Sequence, residues 1–408
     1  MRHAHKIWAL LMLSAALAFG AKDSCTDCHS ALGGPLQAPV AGMQNDIHKR
    51  FGFSCADCHG GKASADDPTA AMNRGSGFVG KPARTAIPKL CARCHADAAL
   101  MHKYEPQQRV DQYAQYVTSI HGQRIASGDD GAAVCTDCHS VHGIRGVKDS
   151  LSPVHPLRLP ETCARCHADP KHMAKYKIPT DQFAEYRKSV HWEALEKRGD
   201  LSAPSCASCH GNHGATPPGV NSVSSVCGTC HVLMANLYNK SPHQAVFASM
   251  GEGGCTTCHS NHAVRKTSSA MLAGPDAVCS RCHDAPSKGG LAAAQMGGSI
   301  VKLRAALARS EAILDQASKA GMEVSQAAIQ EDDADETLVK ARVAVHAFQP
   351  DAVEKPVKEG LKIAAQTYQA GVWAMQERGR RRIGLGVSLV AILITMAGLW
   401  MAIRRLEA

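Results

Sequence analysis

Cys135-Thr136-Asp137-Cys138-His139-Ser140-Val141-His142 decides how this chain is read. It holds a Cys-x-x-Cys-His unit with a second histidine three residues on. Cys-x-x-Cys-His is the attachment signature of a c-type haem. The two thiols add across the vinyl groups of the porphyrin, and the adjacent histidine becomes the proximal iron ligand. Two intervening residues let one short helical turn present both sulfurs to the ring edge, and the next residue places an imidazole under the iron.

The unit recurs at Cys25/Cys28/His29, Cys55/Cys58/His59, Cys91/Cys94/His95, Cys163/Cys166/His167, Cys206/Cys209/His210, Cys227/Cys230/His231, Cys255/Cys258/His259 and Cys279/Cys282/His283, nine units in all. These absorb all 18 cysteines. Paired Cys-x-x-Cys knuckles also bind zinc, but zinc does not require a histidine straight after each pair. With 22 histidines among 408 residues, one such follower is about a one-in-twenty event, and nine in a row are not chance. A disulfide framework explains none of the histidines. The units therefore specify nine covalently bound haem c groups.

Residues 22–288, which contain the units, are poor in core-forming side chains. Aromatics are 4% of the chain, and 35 glycines and 19 prolines punctuate it. About 30 residues per haem cannot bury enough apolar surface to stand alone. The expected fold is mainly α and irregular, with the haems as the core and short helices and loops wrapped over them.

A repeat runs through this region. A small or acidic residue stands two before a histidine, and a spacer leads to a haem unit with another histidine three residues later. Ser119-Ile120-His121 leads to Cys135–His139 and His142, Ser189-Val190-His191 to Cys206–His210 and His213, and Ser241-Pro242-His243 to Cys255–His259 and His262. Each is followed by a second unit, at Cys163, Cys227 and Cys279. Asp46-Ile47-His48 before Cys55 is a worn copy, with Gly60-Gly61-Lys62 where a trailing histidine would fall.

The paired arrangement resembles the doubled Cys-x-x-Cys-His family of multihaem c-type cytochromes from bacterial respiratory chains, over about residues 25–283. The resemblance implies low-potential, mostly bis-histidine haems close enough for electrons to hop between them. Nine distal ligands are then needed, and ten further histidines lie between His48 and His262. The repeat favours His48, His121, His142, His191, His213, His243 and His262. His102 and His172 complete the set, with Met101 and Met173 as the alternative, since methionine is also an axial ligand and raises the potential. His155 is the spare.

The flanking segments address the chain. Arg2 and Lys6, the apolar run 7–19 and the small residues up to Ala21 read as a secretory signal peptide over 1–21. From 289 to 382 the pattern becomes alanine-rich and helical, an antiparallel hairpin or three-helix stalk. An acidic break is expected at 331–335, a second helix around 338–348 and a third from near Val353. His346 reads as a helix-face residue, with haem ligation or a place near a quinone as the alternative. Residues 383–403 carry no charge and are long enough to span a bilayer, leaving 404–408 as a cytoplasmic tail. The arginines at 378 and 380–382 would put the other side in the cytoplasm by charge alone. Export of the haem region outweighs that count and sets them against anionic head groups on the outer face of the inner membrane.

The formal net charge of +9 does not argue for nucleic acid. Nine haems would add about 18 propionate charges, partly offset by the irons. The expected function is electron relay from a membrane quinol-oxidising or cytochrome b-type partner to soluble periplasmic cytochromes in anaerobic respiration, without a catalytic residue. The alternatives are a reductase of nitrite, hydroxylamine or a similar oxyanion, and a haem-bearing structural subunit.

Overall fold

The computed structural model describes residues 23–217 and 219–407, so the expected signal segment lies outside the described residues. The chain is helical and irregular, with no β-strand among these residues. It divides into two units, Met1–Val223 and Ser224–Ala408, each taken by itself below. The last three haem units thus group with the C-terminal helices.

In the first unit the helices are short because the haem motifs are. Cys55–His59, Cys135–His139 and Cys206–His210 are five-residue helices, too short to persist on propensity. The third motif residue closes them. Asp57 Oδ2 accepts the Ser54 N–H at 2.6 Å, Asp137 Oδ2 that of Val134 at 2.7 Å, and Ser208 Oγ that of Ser205 at 3.1 Å. These bonds engage backbone donors at the helix start that have no intrahelical partner. Apolar packing is sparse, and the one buried cluster among the described residues of this unit is Ile125, Ala132 and Val134 with Ile87 against it.

The second unit holds Cys255–His259, the single-turn Cys279–Arg281 and three long helices, Lys288–Lys319, Ser325–Ala344 and Pro350–Glu407. Met296, Ile300, Leu303 and Leu307 of the first long helix pack on Ala334, Leu338 and Ala341 of the second and Val353, Val357 and Ala364 of the third. The three-to-four-residue spacing is the apolar stripe of a helix facing a core.

Two boundaries differ from the sequence reading. Residues 331–335 do not break the second helix, which begins at Ser325. Glu331 turns inward, where it accepts hydrogen bonds from the Ser310 hydroxyl and from Thr367 Oγ1, the latter at 2.5 Å. A buried carboxylate supplied with donors from both neighbouring helices is compatible with a continuous helix. The third helix begins at Pro350, where the fixed φ of proline suits the first position. It runs without interruption into the apolar stretch, whose residues are all exposed. This is the one described helix long and apolar enough to cross a membrane.

Gly360 of the third helix packs against both of the others, and a Cβ there would lie 2.0 Å from Thr337 Oγ1 and 2.8 Å from Leu303 Cδ1. Alanine is the better helix former by about 1 kcal/mol, yet Gly360→Ala should destabilise the bundle by about 1–3 kcal/mol through overpacking. Denaturant unfolding followed by far-ultraviolet circular dichroism gives the sign, and a gain in stability would refute the close approach.

Candidate haem sites

The structure brings histidines together in twos. His59 faces His142 with ring centroids 5.9 Å apart and planes at 22°, and His139 faces His213 at 6.1 Å and 3°. His48 faces His95 at 5.9 Å and 84°, and His121 faces His167 at 6.1 Å and 59°. In the second unit His243 faces His283 at 5.9 Å and 81°, and His259 faces His346 at 6.0 Å and 21°.

A rule organises these pairs. The leading histidine of a repeat faces the second haem unit of its own repeat, as His48 does His95. The trailing histidine faces the first unit of the repeat before it, as His142 does His59. Leading pairs are crossed and trailing pairs are close to parallel.

Local sequence explains the placements. The residue two before each leading histidine is the N-cap of a short helix. Asp46 accepts the His48 N–H at 2.9 Å, Ser119 Oγ the Gly122 N–H at 3.1 Å, and Ser189 Oγ the Trp192 N–H at 3.1 Å. Asp46 is 1% exposed and does more. It meets His48 Nδ1 at 2.8 Å and accepts the Ile144 N–H at 2.8 Å, while the Ile47 N–H donates to the Ile144 carbonyl at 2.7 Å. This junction carries the His142 loop across to the first repeat. Gly42 is needed for the approach, because a Cβ there would stand 1.9 Å from the His142 carbonyl oxygen.

Ring tautomers follow from the same contacts. Nδ1 of His29 lies 3.1 Å from the Leu36 carbonyl, that of His59 2.8 Å from Gly80 and that of His346 3.0 Å from Val343. An Nδ1–H held by a carbonyl leaves Nε2 with its lone pair free for a metal. Burial lowers the pKa of His95, His121, His167 and His259, and holds His139 down to about 4 with His213 and His95 adding to the effect. Neutral imidazole is the ligating form.

The thiols sit beside these rings and beside one another. The thiols of Cys91 and Cys135 act on one another, as do those of Cys163 and Cys206, and of Cys227 and Cys255. Burial pushes Cys25 up, with Asp23 and Cys55 adding to it. Cys58 is pushed up by burial and by neighbouring Cys91 and Cys94, and Cys258 by burial and by Cys279 and Cys282. Cys138 is raised by burial and by Asp137, with Cys166 of the following motif adding to it. Burial also raises Tyr186, which has Cys206 and Cys209 beside it. Within each unit the sulfurs of successive motifs therefore adjoin. None of the 18 cysteines forms a disulfide.

The second cysteine of a motif is not held alike everywhere, which departs from one short helical turn presenting both sulfurs. Cys166 and Cys209 fit that expectation, half-buried within the helices Leu159–His167 and Cys206–His210. Cys28 and Cys58 lie within the helices Ser24–Leu32 and Cys55–His59 but are exposed. Cys230 and Cys282 are also exposed and fall outside the helical turn of their motifs. Cys230 follows the 3₁₀ turn Val223–Thr229, where the Thr229 hydroxyl lies 3.9 Å from its Sγ, and Cys282 is the cap after Cys279–Arg281. The cause is local. A 3₁₀ turn, tighter than an α-turn, replaces the α-helical turn in these two motifs and ends just before the second cysteine.

Other expected ligands stand differently. His29 faces no histidine ring among the described residues. His102 is exposed, with Nε2 3.2 Å from the Gln108 carbonyl, and the ring neighbour of His172 is Tyr176 at 5.9 Å. Met101 is half-buried and Met173 buried, while the proximal histidines nearest them in sequence, His95 and His167, already face His48 and His121. His155 is buried and its Nδ1 accepts the Leu157 N–H at 3.4 Å, which leaves the hydrogen on Nε2. His191 lies on the turn Val190–Trp192, His231 caps Val232–Asn239, and the His262 N–H donates to Asn261 Oδ1 at 2.7 Å.

Sequence reasoning missed two positions. Tyr116, Tyr186 and Tyr238 stand three before the cap serines. Tyr116 donates to the Ala133 carbonyl and Tyr186 to that of Pro204, both at 2.8 Å and both two residues before a first-unit cysteine. Burial pushes Tyr116 up to about 12. The Tyr-x-x-Ser-x-His register was there to be read. Arg93 and Arg165, in Cys-Ala-Arg-Cys-His, donate to the Cys58 carbonyl at 2.8 Å and the Asp137 carbonyl at 2.7 Å, clasping the second unit of a repeat to its first.

These residues fit haem c. A metal–imidazole nitrogen bond is about 2 Å long, so two rings sharing one iron have centroids about 6 Å apart, the spacing of all six pairs. One ring of each pair adjoins two thiols in sequence, and the buried Nδ1 of His243 has no hydrogen-bond partner. The arrangement defines a multihaem c-type cytochrome. The sequence matches the cytochrome c3 family over residues 47–168 and 200–284, just over half the chain, and the protein belongs to that family. No curated protein and no solved structure matches it. Membership brings covalently bound haem c and electron transfer through several haems.

Asp46→Ala should cost about 3 kcal/mol, since it strands two backbone donors and an imidazole donor in a buried place. Asp46→Ser, which copies the cap of the other repeats, should recover part of it. Thermal unfolding of the holoproteins orders the three, and equal stability of Ala and wild type would show that the junction is not held by Asp46.

Proposed function

We propose that the chain carries nine haems, one per Cys-x-x-Cys-His unit, and works as an electron conduit rather than a reductase. The observation that carries this is the set of facing histidines. Where two imidazoles share an iron, no position is left for a small substrate, and a reductase of nitrite or hydroxylamine needs one. Besides the proximal histidines, the ligands are His48, His121, His142, His213, His243 and, by the same register in their repeats, His191 and His262. Haem c supplies reversible one-electron chemistry when bound. The chain's own residues fix the rings, keep them neutral and set successive attachment points side by side, which shortens each electron step.

The segment 383–403 anchors the protein in the inner membrane, with the haem region in the periplasm. Electrons enter from a quinol-oxidising membrane partner and leave to soluble cytochromes of an anaerobic respiratory chain. The uncharged length of the span and the export signal read from 1–21 support this arrangement.

Intact mass of the mature protein should show nine haems, and fewer in fully matured protein would refute the count. Paramagnetic resonance of the oxidised protein should be dominated by low-spin iron in two populations, one from near-parallel and one from crossed ligand planes. A large high-spin signal together with nitrite or hydroxylamine turnover would establish the reductase instead.

Removing residues 383–408 should release a soluble red protein into the periplasm. Retention of that truncation in the membrane would locate the anchor elsewhere.

A further inference from the structure

The trailing histidines His142 and His213 each face the first haem unit of the repeat before their own. The last first-unit histidine, His259, has no later repeat to draw on, because no Cys-x-x-Cys-His follows Cys279–His283. Its ring is nevertheless faced. His346, in the turn Val345–Ala347 between the second and third long helices, lies 6.0 Å away at 21°. That geometry matches His59–His142 at 5.9 Å and 22°. His346 Nδ1 is engaged by the Val343 carbonyl at 3.0 Å, as His59 Nδ1 is by Gly80 at 2.8 Å, and its Nε2 is left with a lone pair.

The same turn touches the neighbouring site. Phe348 has a left-handed backbone, φ 55°, uncommon for a bulky residue. Its ring lies 3.9 Å from that of His243, which in turn faces His283. A non-glycine residue held in that region signals that surrounding contacts determine it. The two residues together set the tip of the helical bundle over two adjoining histidine pairs.

We infer that His346 is the sixth ligand of the haem carried by Cys255, Cys258 and His259, so that the helical bundle is joined to the cytochrome region through iron. This rests on reading the facing histidines as ligand pairs, but not on the direction or partners of electron flow. His346 lies outside the residues matched by the cytochrome c3 family, so a ligand has been supplied by a segment with no haem motif of its own. The helix that follows the turn is the one that runs on into the apolar span. The haem bound to His346 is thereby linked to the proposed anchor by one continuous helix.

The test uses the full-length holoprotein in detergent, with His346→Ala, His346→Met and, as a control inside the repeats, His142→Ala. His346→Ala should convert one haem equivalent of the ferric protein from low to high spin in paramagnetic resonance, with the haem content unchanged and low spin restored by added imidazole. His346→Met should remain six-coordinate and raise one midpoint potential, since methionine ligation raises it. If His142→Ala yields a high-spin haem while neither His346 variant changes spin state or any potential, the assignment of His346 is overturned and the pair reading stands. If no variant, His142→Ala included, changes either, the pair reading itself fails and this inference with it. Should His346→Ala lose its haem, the methionine variant decides alone.

Discussion

Holding two imidazole rings about 6 Å apart, at six places, is the constraint on which the rest of this structure depends. A chain with few buried apolar side chains cannot position rings by packing them in a core. It does so with backbone devices, namely five-residue helices closed by an acidic or hydroxyl side chain, capped turns that present the leading histidines, and carbonyls that seize Nδ1. Each device is worth only about 1 kcal/mol. None folds the chain alone. Folding of the haem region is therefore coupled to covalent attachment of its cofactor, by the logic that leaves small metal domains unfolded without their metal.

The C-terminal helices obey a different rule. They have the dry apolar stripe the rest of the chain lacks, and their buried polar groups are matched within the bundle, Glu331 with Ser310 and Thr367. Such a bundle holds its shape without the haems. A rigid body that ends in an apolar helix at one end and presents His346 and Phe348 at the other is suited to fix one haem relative to a membrane, on the proposed anchoring.

Much of this is legible in the sequence, for a physical reason. Covalent haem attachment demands fixed residues at fixed spacing, so the nine units and their proximal histidines are local. The leading and trailing histidines repeat in register and are legible too. Which histidine meets which is not, because that depends on chain reversals such as the junction of Ile47 with Ile144, nearly a hundred residues apart in sequence. Nor does the uniform spacing show that Cys230 and Cys282 leave their turns while Cys166 and Cys209 stay in theirs, since that depends on whether the flanking residues continue an α-helix. His346 reads as a helix-face residue because no motif surrounds it, and only the three-dimensional path shows that its ring faces His259. The acidic run at 331–335 looks like a break because local composition cannot show that Glu331 has partners on two other helices.

The alternation of crossed and parallel rings follows from how each histidine is delivered. Leading histidines ride the first turn of a helix capped two residues earlier, and their rings stand crossed to those of the second unit. Trailing histidines come from irregular loops in which backbone φ turns positive, at Ser140 and His142 and again at Ser260. A loop of that kind can lay its ring flat along the partner. His346 arrives in a different way, on a turn between long helices, yet reaches the same near-parallel geometry at the same kind of site. On the proposed ligation, first-unit haems are then the parallel class and second-unit haems the crossed class. Because the sulfurs of successive motifs adjoin within each unit of the chain, neighbours along the path belong to unlike classes. Ring orientation, fixed by the backbone, becomes a means of making successive haems differ although every ligand is histidine.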